Sequence, residues 1–297
     1  IIGYKTLILS YEDIQNQNFT LQLEPGNTQL NEIVIAATKR QQLSKTLPHK
    51  ITVIGKNDAE FLQPQTTADL LATSGEVFMQ KSQQGGGSPM IRGFATNRLI
   101  YSVDGVRMNT AIFRAGNIQN VISLDAFAIE RTEVFFGPGS VIYGSDAIGG
   151  VMSFTTLTPQ LAVNDTVRVS GKSNLRFSSA NNELTNHLSV NIGSKKWASV
   201  TSITYSDFGD MTIGKKGTKG YESWGRRPFY VQRFDNKDSI VQNLDSFKQT
   251  PNGYQQWDLM QKVLFQPNAN VSHVLNIQHS NSTDIPRYDR LTEIGSN

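Results

Sequence analysis

The sequence predicts a mixed α+β domain followed by antiparallel strands of an incomplete transmembrane β-barrel. Three observations carry that prediction. The longest uninterrupted apolar run is residues 33–37, far short of the roughly 20 residues a membrane helix needs. After about residue 160 the hydrophobic pattern changes to a period of two over segments of about 9–11 residues, the pattern of barrel strands, which hide from hydropathy because they face lipid and lumen alternately. The connections between those segments are unequal: 179–183, 193–196 and 267–271 are short, whereas 206–253 is a long polar insertion. A membrane barrel produces that asymmetry, with tight turns on one side and long loops on the other.

Composition agrees. The chain has 297 residues, 28 Lys+Arg against 25 Asp+Glu, a formal net charge of +3, 38% hydrophobic and 18% charged residues. Neither a charge-rich disordered chain nor a uniformly apolar membrane protein fits. The 24 Gly, 9% aromatics and abundant Asn, Gln, Ser and Thr point to strand and loop. Absence of Cys excludes disulfides, thiolate metal sites and cysteine nucleophiles. The sequence opens at Ile1 without Met and stops in a polar stretch, and 161–297 supplies about five strands, fewer than the smallest outer-membrane barrels contain. An open sheet leaves unpaired edge groups in lipid, so the expectation is a piece of a longer chain.

The elements follow in order. Residues 1–25 alternate in patches (Leu7, Leu9; Phe19, Leu21, Leu23) and end at Glu24-Pro25-Gly26, which reads as two strands at the end of a small β domain. Residues 26–45 are a polar linker holding one strand-like segment, 31–38. A compact domain spans 46–158, with a strand at 51–54 and short helices at 58–62 and 67–72 capped by Asn57 and Thr66. Strand candidates 99–103 and 106–108 flank Asp104-Gly105, a strong hairpin signal. Strands at 129–136 and 151–155 are separated by a glycine-punctuated turn region. From 159 on, Val167, Val169, Leu175 and Phe177 alternate with Arg168, Ser170, Asn174 and Arg176, and later segments repeat the pattern.

Three segments now resemble a known family. Met90-Ile91-Arg92-Gly93-Phe94, Asn97-Arg98 and Val103-Asp104-Gly105-Val106-Arg107-Met108-Asn109 are similar to a stretch of the plug domain of TonB-dependent outer-membrane receptors. Ile129-Glu130-Arg131-Thr132-Glu133-Val134, then Gly137-Pro138-Gly139-Ser140 and Tyr143-Gly144-Ser145-Asp146-Ala147-Ile148-Gly149-Gly150-Val151, resemble the same domain's C-terminal signature. Glu32-Ile33-Val34-Ile35-Ala36-Ala37-Thr38 is similar to a Ton box. Residues 1–25 resemble the end of the carboxypeptidase-regulatory-like β-sandwich that precedes many such receptors in Bacteroidetes-type bacteria.

The resemblance implies energy-coupled import across the bacterial outer membrane, with the plug gating a barrel. The implied partners are a TonB-type energy-transducing protein, a small-molecule ligand (an iron-siderophore complex, haem or cobalamin), outer-membrane lipid and a surface lipoprotein. Glu32, Ile33, Val34, Ile35 and Ala36 would bind the transducer, because an apolar β-branched strand between polar linkers can add to a sheet edge. Arg92, Arg131, Glu130 and Glu133 would lock plug to barrel through charge-assisted hydrogen bonds. Arg107, Asn109, Phe113 and Arg114 would meet the ligand at the apex. The insertion 206–253 adds Lys215, Lys216, Lys219, Arg226, Arg227 and Arg233 interleaved with Tyr221, Trp224, Phe229 and Tyr230, which suits an anionic ligand or phosphorylated lipid. Signalling and non-transporting surface-binding receptors share the implied fold. Oligosaccharide or peptide import is a further alternative, and Ala37-Thr38-Lys39-Arg40 lacks the Gly-Tyr-Gly that trails the Ton box of oligosaccharide importers.

Other chemistries find no support. The 85–87 glycine run lacks the Lys-Ser/Thr of a phosphate loop, and no nucleic-acid-binding module accompanies the basic insertion. No nucleophile elbow or HExxH is present, so no enzyme, cofactor or metal is expected. His273 and His279 lie six apart on one strand, roughly 20 Å, too far to share a metal, and His187 stands alone on the expected lumenal face.

Overall fold

The computed structural model describes residues 49–287, apart from 82, 96–97, 109–119, 218, 222, 224 and 236, together with 15, 33–34 and 42–43. Ile33–Val34 (β1) and Gln42–Leu43 (β2) pair antiparallel, with Val34 buried. The remainder of the Ton-box-like segment and of residues 1–25 lies outside the described residues.

The mixed domain begins with Lys50–Gly55 (β3), followed by Lys56–Leu62 (α1) and Thr67–Ala72 (α2). Thr66 caps α2 as expected: its Oγ1 accepts from Asp69 N at 3.2 Å while the Asp69 carboxylate accepts from Thr66 N, a reciprocal capping box. The first helix is capped at Gly55, two residues before the predicted cap Asn57, because Asp58 reaches back to accept from Gly55 N at 3.1 Å. Next come Phe78–Gln80 (β4), Ser88–Met90 (β5), Leu99–Val103 (β6), Val106–Arg107 (β7), Ile129–Phe136 (β8), the single turn Ser140–Tyr143 (α3) and Gly150–Thr156 (β9).

Five of these strands form one sheet in the order β3-β8-β9-β6-β7, antiparallel except for the β6–β9 pair. All five residues of β6 are buried, so the sheet is covered on both faces. Leu99, Tyr101 and Val103 point to one side and join Leu70, Leu71, Ile91, Val134 and Phe154; Ile100 points to the other and meets Phe135, Ala147 and Val151. Each such burial is worth about 1.5–3 kcal/mol. The predicted hairpin forms with Asp104 and Gly105 at φ +47° and +83°, the two positive angles that a tight hairpin turn requires. Gly150 admits the backbone of β8: a Cβ there would stand 2.6 Å from the Phe135 carbonyl oxygen.

The second half is a wall. Arg168–Ser178 (β10), Glu183–Gly193 (β11), Trp197–Phe208 (β12), Tyr254–Asn268 (β17) and Val271–Ser282 (β18) form an antiparallel sheet in the order β10-β11-β12-β17-β18. Between β12 and β17 lie Met211–Thr212 (β13), Phe229–Phe234 (β14), Lys237–Gln242 (β15) and Lys248–Gln249 (β16), the long insertion predicted from sequence. Their pairing, β13 with β16 and β14 with β15, makes the insertion a hairpin set on its own stem. Asp210 fixes its base by accepting from Asn252 N and Gly253 N at 2.7 and 2.9 Å.

The wall inverts the usual rule of burial. Leu184, Leu188, Ile192, Trp197, Ile203, Trp257 and Leu259 are exposed, whereas Glu183, Thr185, His187, Ser202, Thr204, Gln256, Asp258 and Lys262 are buried. Apolar outside and polar inside is the arrangement of a membrane barrel wall. The stacked pair Trp197–Phe265 (4.1 Å) and the tilted pair Tyr205–Trp257 (4.4 Å) stand at the two ends of the outer face. They are eight residues apart on β12, about 26 Å along the strand and about 20 Å in height at barrel tilt, close to the apolar band between aromatic girdles. Between them, Thr201 donates to Gln261 Oε1 and Gln261 to Ser199, both at 2.6 Å, so these outward polar groups satisfy one another.

Candidate functional site

The site is the seam where the mixed domain meets the polar face of the wall. Three clusters cross it.

The first holds the loop between α1 and α2. On the wall, Arg176 of β10 and Glu183 of β11 pair at 2.7 Å (Nε) and 2.5 Å (Nη2) to Oε1. Glu183 is fully buried and takes further hydrogen bonds from Thr185 and, across the seam, Gln65 Nε2 at 2.5 Å. Arg176 Nη1 donates to the Pro64 carbonyl at 2.7 Å, and its guanidinium lies over the Phe127 ring at 5.3 Å. The guanidinium fork thus serves carboxylate and backbone together, as its planar donor set allows. Lys172 of β10 pairs with Glu60 of α1 beside it. Arg176→Ala is expected to weaken the seam by about 3–5 kcal/mol, since Glu183 would stay buried without its cation. Exchange protection of the 63–65 loop in the full-length protein is the measurement, and Arg176→Lys should not restore it.

The second cluster holds the β6–β7 hairpin tip. Asp104 accepts from Thr156 N at 3.0 Å and Thr156 Oγ1 at 2.6 Å, then reaches the wall: Asn276 Nδ2 donates to it at 2.6 Å and Lys262 Nζ lies 3.0 Å away. Lys262 is buried and also donates to the Thr156 carbonyl.

The third holds two short 3-10 turns, Asn120–Ser123 and Ala126–Ala128. Asp125 caps the second by accepting from Phe127 N at 3.0 Å, and its other oxygen accepts from Thr204 Oγ1 of β12 at 2.6 Å. His187 Nδ1 lies 2.7 Å from that Thr204 hydroxyl, and its ring stacks on Phe127 at 4.8 Å. Gln256 of β17 donates to the Ile122 carbonyl at 2.9 Å and to the neighbouring Asp258 carboxylate. Burial, reinforced by the like charge of Asp258, pushes the Asp125 carboxyl up to about 7 against the opposing pull of Thr204 and Phe127 N.

The residues expected from sequence have the following described contacts. Arg131 and Glu133 form an ion pair at 2.8 Å on β8, an i,i+2 contact on one face of one strand. Glu130 accepts from Thr158 N at 3.0 Å and so fastens the start of the connector to the wall. Arg92 is exposed at φ +50° in the tight turn between Ile91 and Phe94, over the Phe136 ring. Arg107 pairs with Asp146 within the mixed domain. Asn109, Phe113 and Arg114 lie outside the described residues, as do Glu32, Ile35 and Ala36. The side-chain crossings described above join Glu60, Gln65, Asp104, Asp125 and Phe127 to Lys172, Arg176, Glu183, His187, Thr204, Lys262 and Asn276, with the Pro64, Ile122 and Thr156 carbonyls taking further bonds from Arg176, Gln256 and Lys262. Period-two alternation puts Arg176 on the polar face, and Lys262, which alternates with Trp257, Leu259, Val263 and Phe265, follows the same pattern. In the insertion, Lys215, Lys216, Lys219, Tyr221, Arg226 and Arg227 are exposed.

Comparisons match this architecture. The model for the TonB-dependent receptor plug domain matches residues 44–151. The vitamin B12 transporter BtuB of Vibrio vulnificus strain CMCP6 is 32% identical over 224 residues, covering 73% of this chain and 35% of that protein. The hemin receptor of Yersinia pestis is 29% identical over 139 residues, 46% of this chain and 20% of that protein. Among solved structures, the copper transporter OprC superposes with a TM-score of 0.58 at 16% identity, over 78% of this chain and 31% of that one. The pyoverdine outer membrane receptor FpvA of Pseudomonas aeruginosa PAO1 gives 0.58 at 14% identity, over 84% and 30%; at these identities both speak for the fold. The chain spans about a third of the length of the curated transporter it matches over most of its own length. With a plug model matched across the mixed domain and polar-inside strands after it, the chain belongs to the TonB-dependent receptor family.

Proposed function

We propose that this chain is the gating part of an energy-coupled importer in the bacterial outer membrane, carrying an iron-siderophore complex, haem or cobalamin. The observation that supports this best is the seam. A permanent domain interface would be expected to be apolar, whereas this one rests on buried ion pairs and hydrogen bonds, which hold strongly but part along defined lines. A plug that must seat and release needs that chemistry. The exposed apolar strip of the wall supports a lipid-facing position, and none of the described helices is long and apolar enough to cross a membrane. Relatives named as a vitamin B12 transporter and a hemin receptor supply the substrate classes.

Energy would enter through Glu32, Ile33, Val34, Ile35 and Ala36. Among the described residues the β1–β2 pair involves two residues on each side, a short ladder whose strand could be surrendered to the edge of a transducer's sheet. Arg107, Asn109, Phe113 and Arg114 are the proposed ligand contacts, with the cations of the insertion drawing anionic ligands to the mouth. Arg131, Glu130 and Glu133 would stiffen the plug's own side of the seam, and Arg92 the turn beside it. Cells expressing the full-length receptor and given labelled cobalamin, haemin and a ferric siderophore in turn should accumulate one of the three. Surface binding without accumulation of any would overturn import.

A further inference from the structure

We propose that Asp125 is a proton-operated latch on the plug: protonated, it holds residues 120–128 against the wall, and ionised, it lets that segment go. The geometry shows why the two forms differ. His187 Nδ1, Thr204 Oγ1 and Asp125 Oδ2 form a continuous hydrogen-bonded line, at 2.7 and 2.6 Å. In the neutral form Oδ2 carries the proton and donates to Thr204 Oγ1, whose own hydroxyl hydrogen then goes to His187 Nδ1, so a neutral Asp125 side chain is satisfied there. Phe127 N occupies the other oxygen. A carboxylate in the same place lacks a dedicated counter-charge.

The charged and titratable groups facing Asp125 are Arg176 on β10, His187 on β11, and Tyr254 and Asp258 on β17; from α2 and the loop before it come only the neutral Thr67 and Gln65. Arg176 is engaged by Glu183 through two nitrogens and by the Pro64 carbonyl. His187 Nδ1 stands 3.9 Å away and is occupied by Thr204. Asp258 is itself acidic, and Gln256, which binds it, also holds the Ile122 carbonyl. Ionising Asp125 therefore puts two carboxylates in one buried corner, against a segment fastened at both of its 3-10 turns by the same residues. The proton leaves to solvent, and no other bond is made or broken.

The direction of the effect follows from linkage. Burial and Asp258 raise the Asp125 carboxyl to about 7 from an ordinary value of 3.8. Its contribution to seating is therefore fully present below the ordinary value, falls as pH rises, and is gone above about 7. Residues 120–128 directly follow 109–119, which include the proposed ligand contacts, so the latch would set how firmly the ligand-facing end of the plug is held at a given external pH. The inference depends on the seating of plug on wall and not on which ligand is carried.

Amide hydrogen exchange of peptides spanning 120–128, in the full-length receptor reconstituted in phosphatidylcholine nanodiscs, tests it. After correction for intrinsic rates, protection should fall about tenfold per pH unit between about pH 4 and about pH 7, then level off. Asp125→Asn should keep protection and flatten the profile. Asp258→Asn should end the fall at a lower pH, because the repulsion is gone. Superimposable profiles for wild type and Asp125→Asn overturn the latch. If Asp125→Asn loses protection throughout β6, β8 and β9 the plug has come apart, and Asp258→Asn then decides: a profile identical to wild type overturns the proposal.

Discussion

Deleting residues 31–38 from the full-length receptor reduces ligand accumulation to the level of cells without the receptor, while binding of the same ligand at the cell surface stays within about twofold of the parent. That outcome follows if the segment is a handle. Among the described residues its backbone pairs only in the short β1–β2 ladder, which no wall strand shares, so its loss removes none of the seam contacts described above. Backbone hydrogen bonds of an added strand transmit force whatever the side chains, so single conservative changes within 32–36 should act weakly and proline should act strongly. Uptake that survives the deletion removes the pulling mechanism and leaves a surface-binding receptor.

The second large effect concerns Asp104. Its carboxylate is shared by Lys262, Asn276 and Thr156, and Lys262 is buried on the wall with the Thr156 carbonyl as its other described partner. Asp104→Ala strands that ammonium in the seam, a loss of about 3–5 kcal/mol, or a factor of roughly one hundred to several thousand in the seating equilibrium. Protection of β6 and β7 amides in the full-length receptor should drop accordingly. Replacing both partners, Asp104→Asn with Lys262→Met, should recover most of it, because removing a buried pair is far less costly than breaking one. Recovery of uptake need not follow, since a seam without charge would part by a different route.

The fold could be read from the sequence wherever periodicity or turn chemistry forced a choice. Asp104-Gly105 compelled a hairpin, Thr66 with Asp69 compelled a helix start, and Arg168, Arg176 and Lys262 alternating with apolar neighbours fixed which side of each strand is polar. The seam was harder to see. Alternation tells which face a residue takes but not what stands opposite it, and Gln65 and Glu183 meet across 118 residues of chain. Arg131 and Glu133 look like locks because they are charged and sit in a motif, and their spacing of two on one strand also lets them pair with each other. Asp125 shows no signal at all: it is a helix-cap residue type in front of a short turn, and only the wall makes it a buried acid.

The most direct test of the whole account uses the absence of cysteine from this chain. In a Cys-free full-length receptor that also carries Lys262→Met, so that no ammonium is stranded, cysteines at positions 104 and 276, whose side chains meet across the seam, would be joined by a short, reducible thiol cross-linker. The account predicts that the cross-link forms in intact cells, that it blocks accumulation of ligand while surface binding persists, and that reduction restores uptake. Undiminished uptake with the cross-link complete, or failure of the two positions to be bridged at all, would contradict a plug that seats on this wall and must leave it.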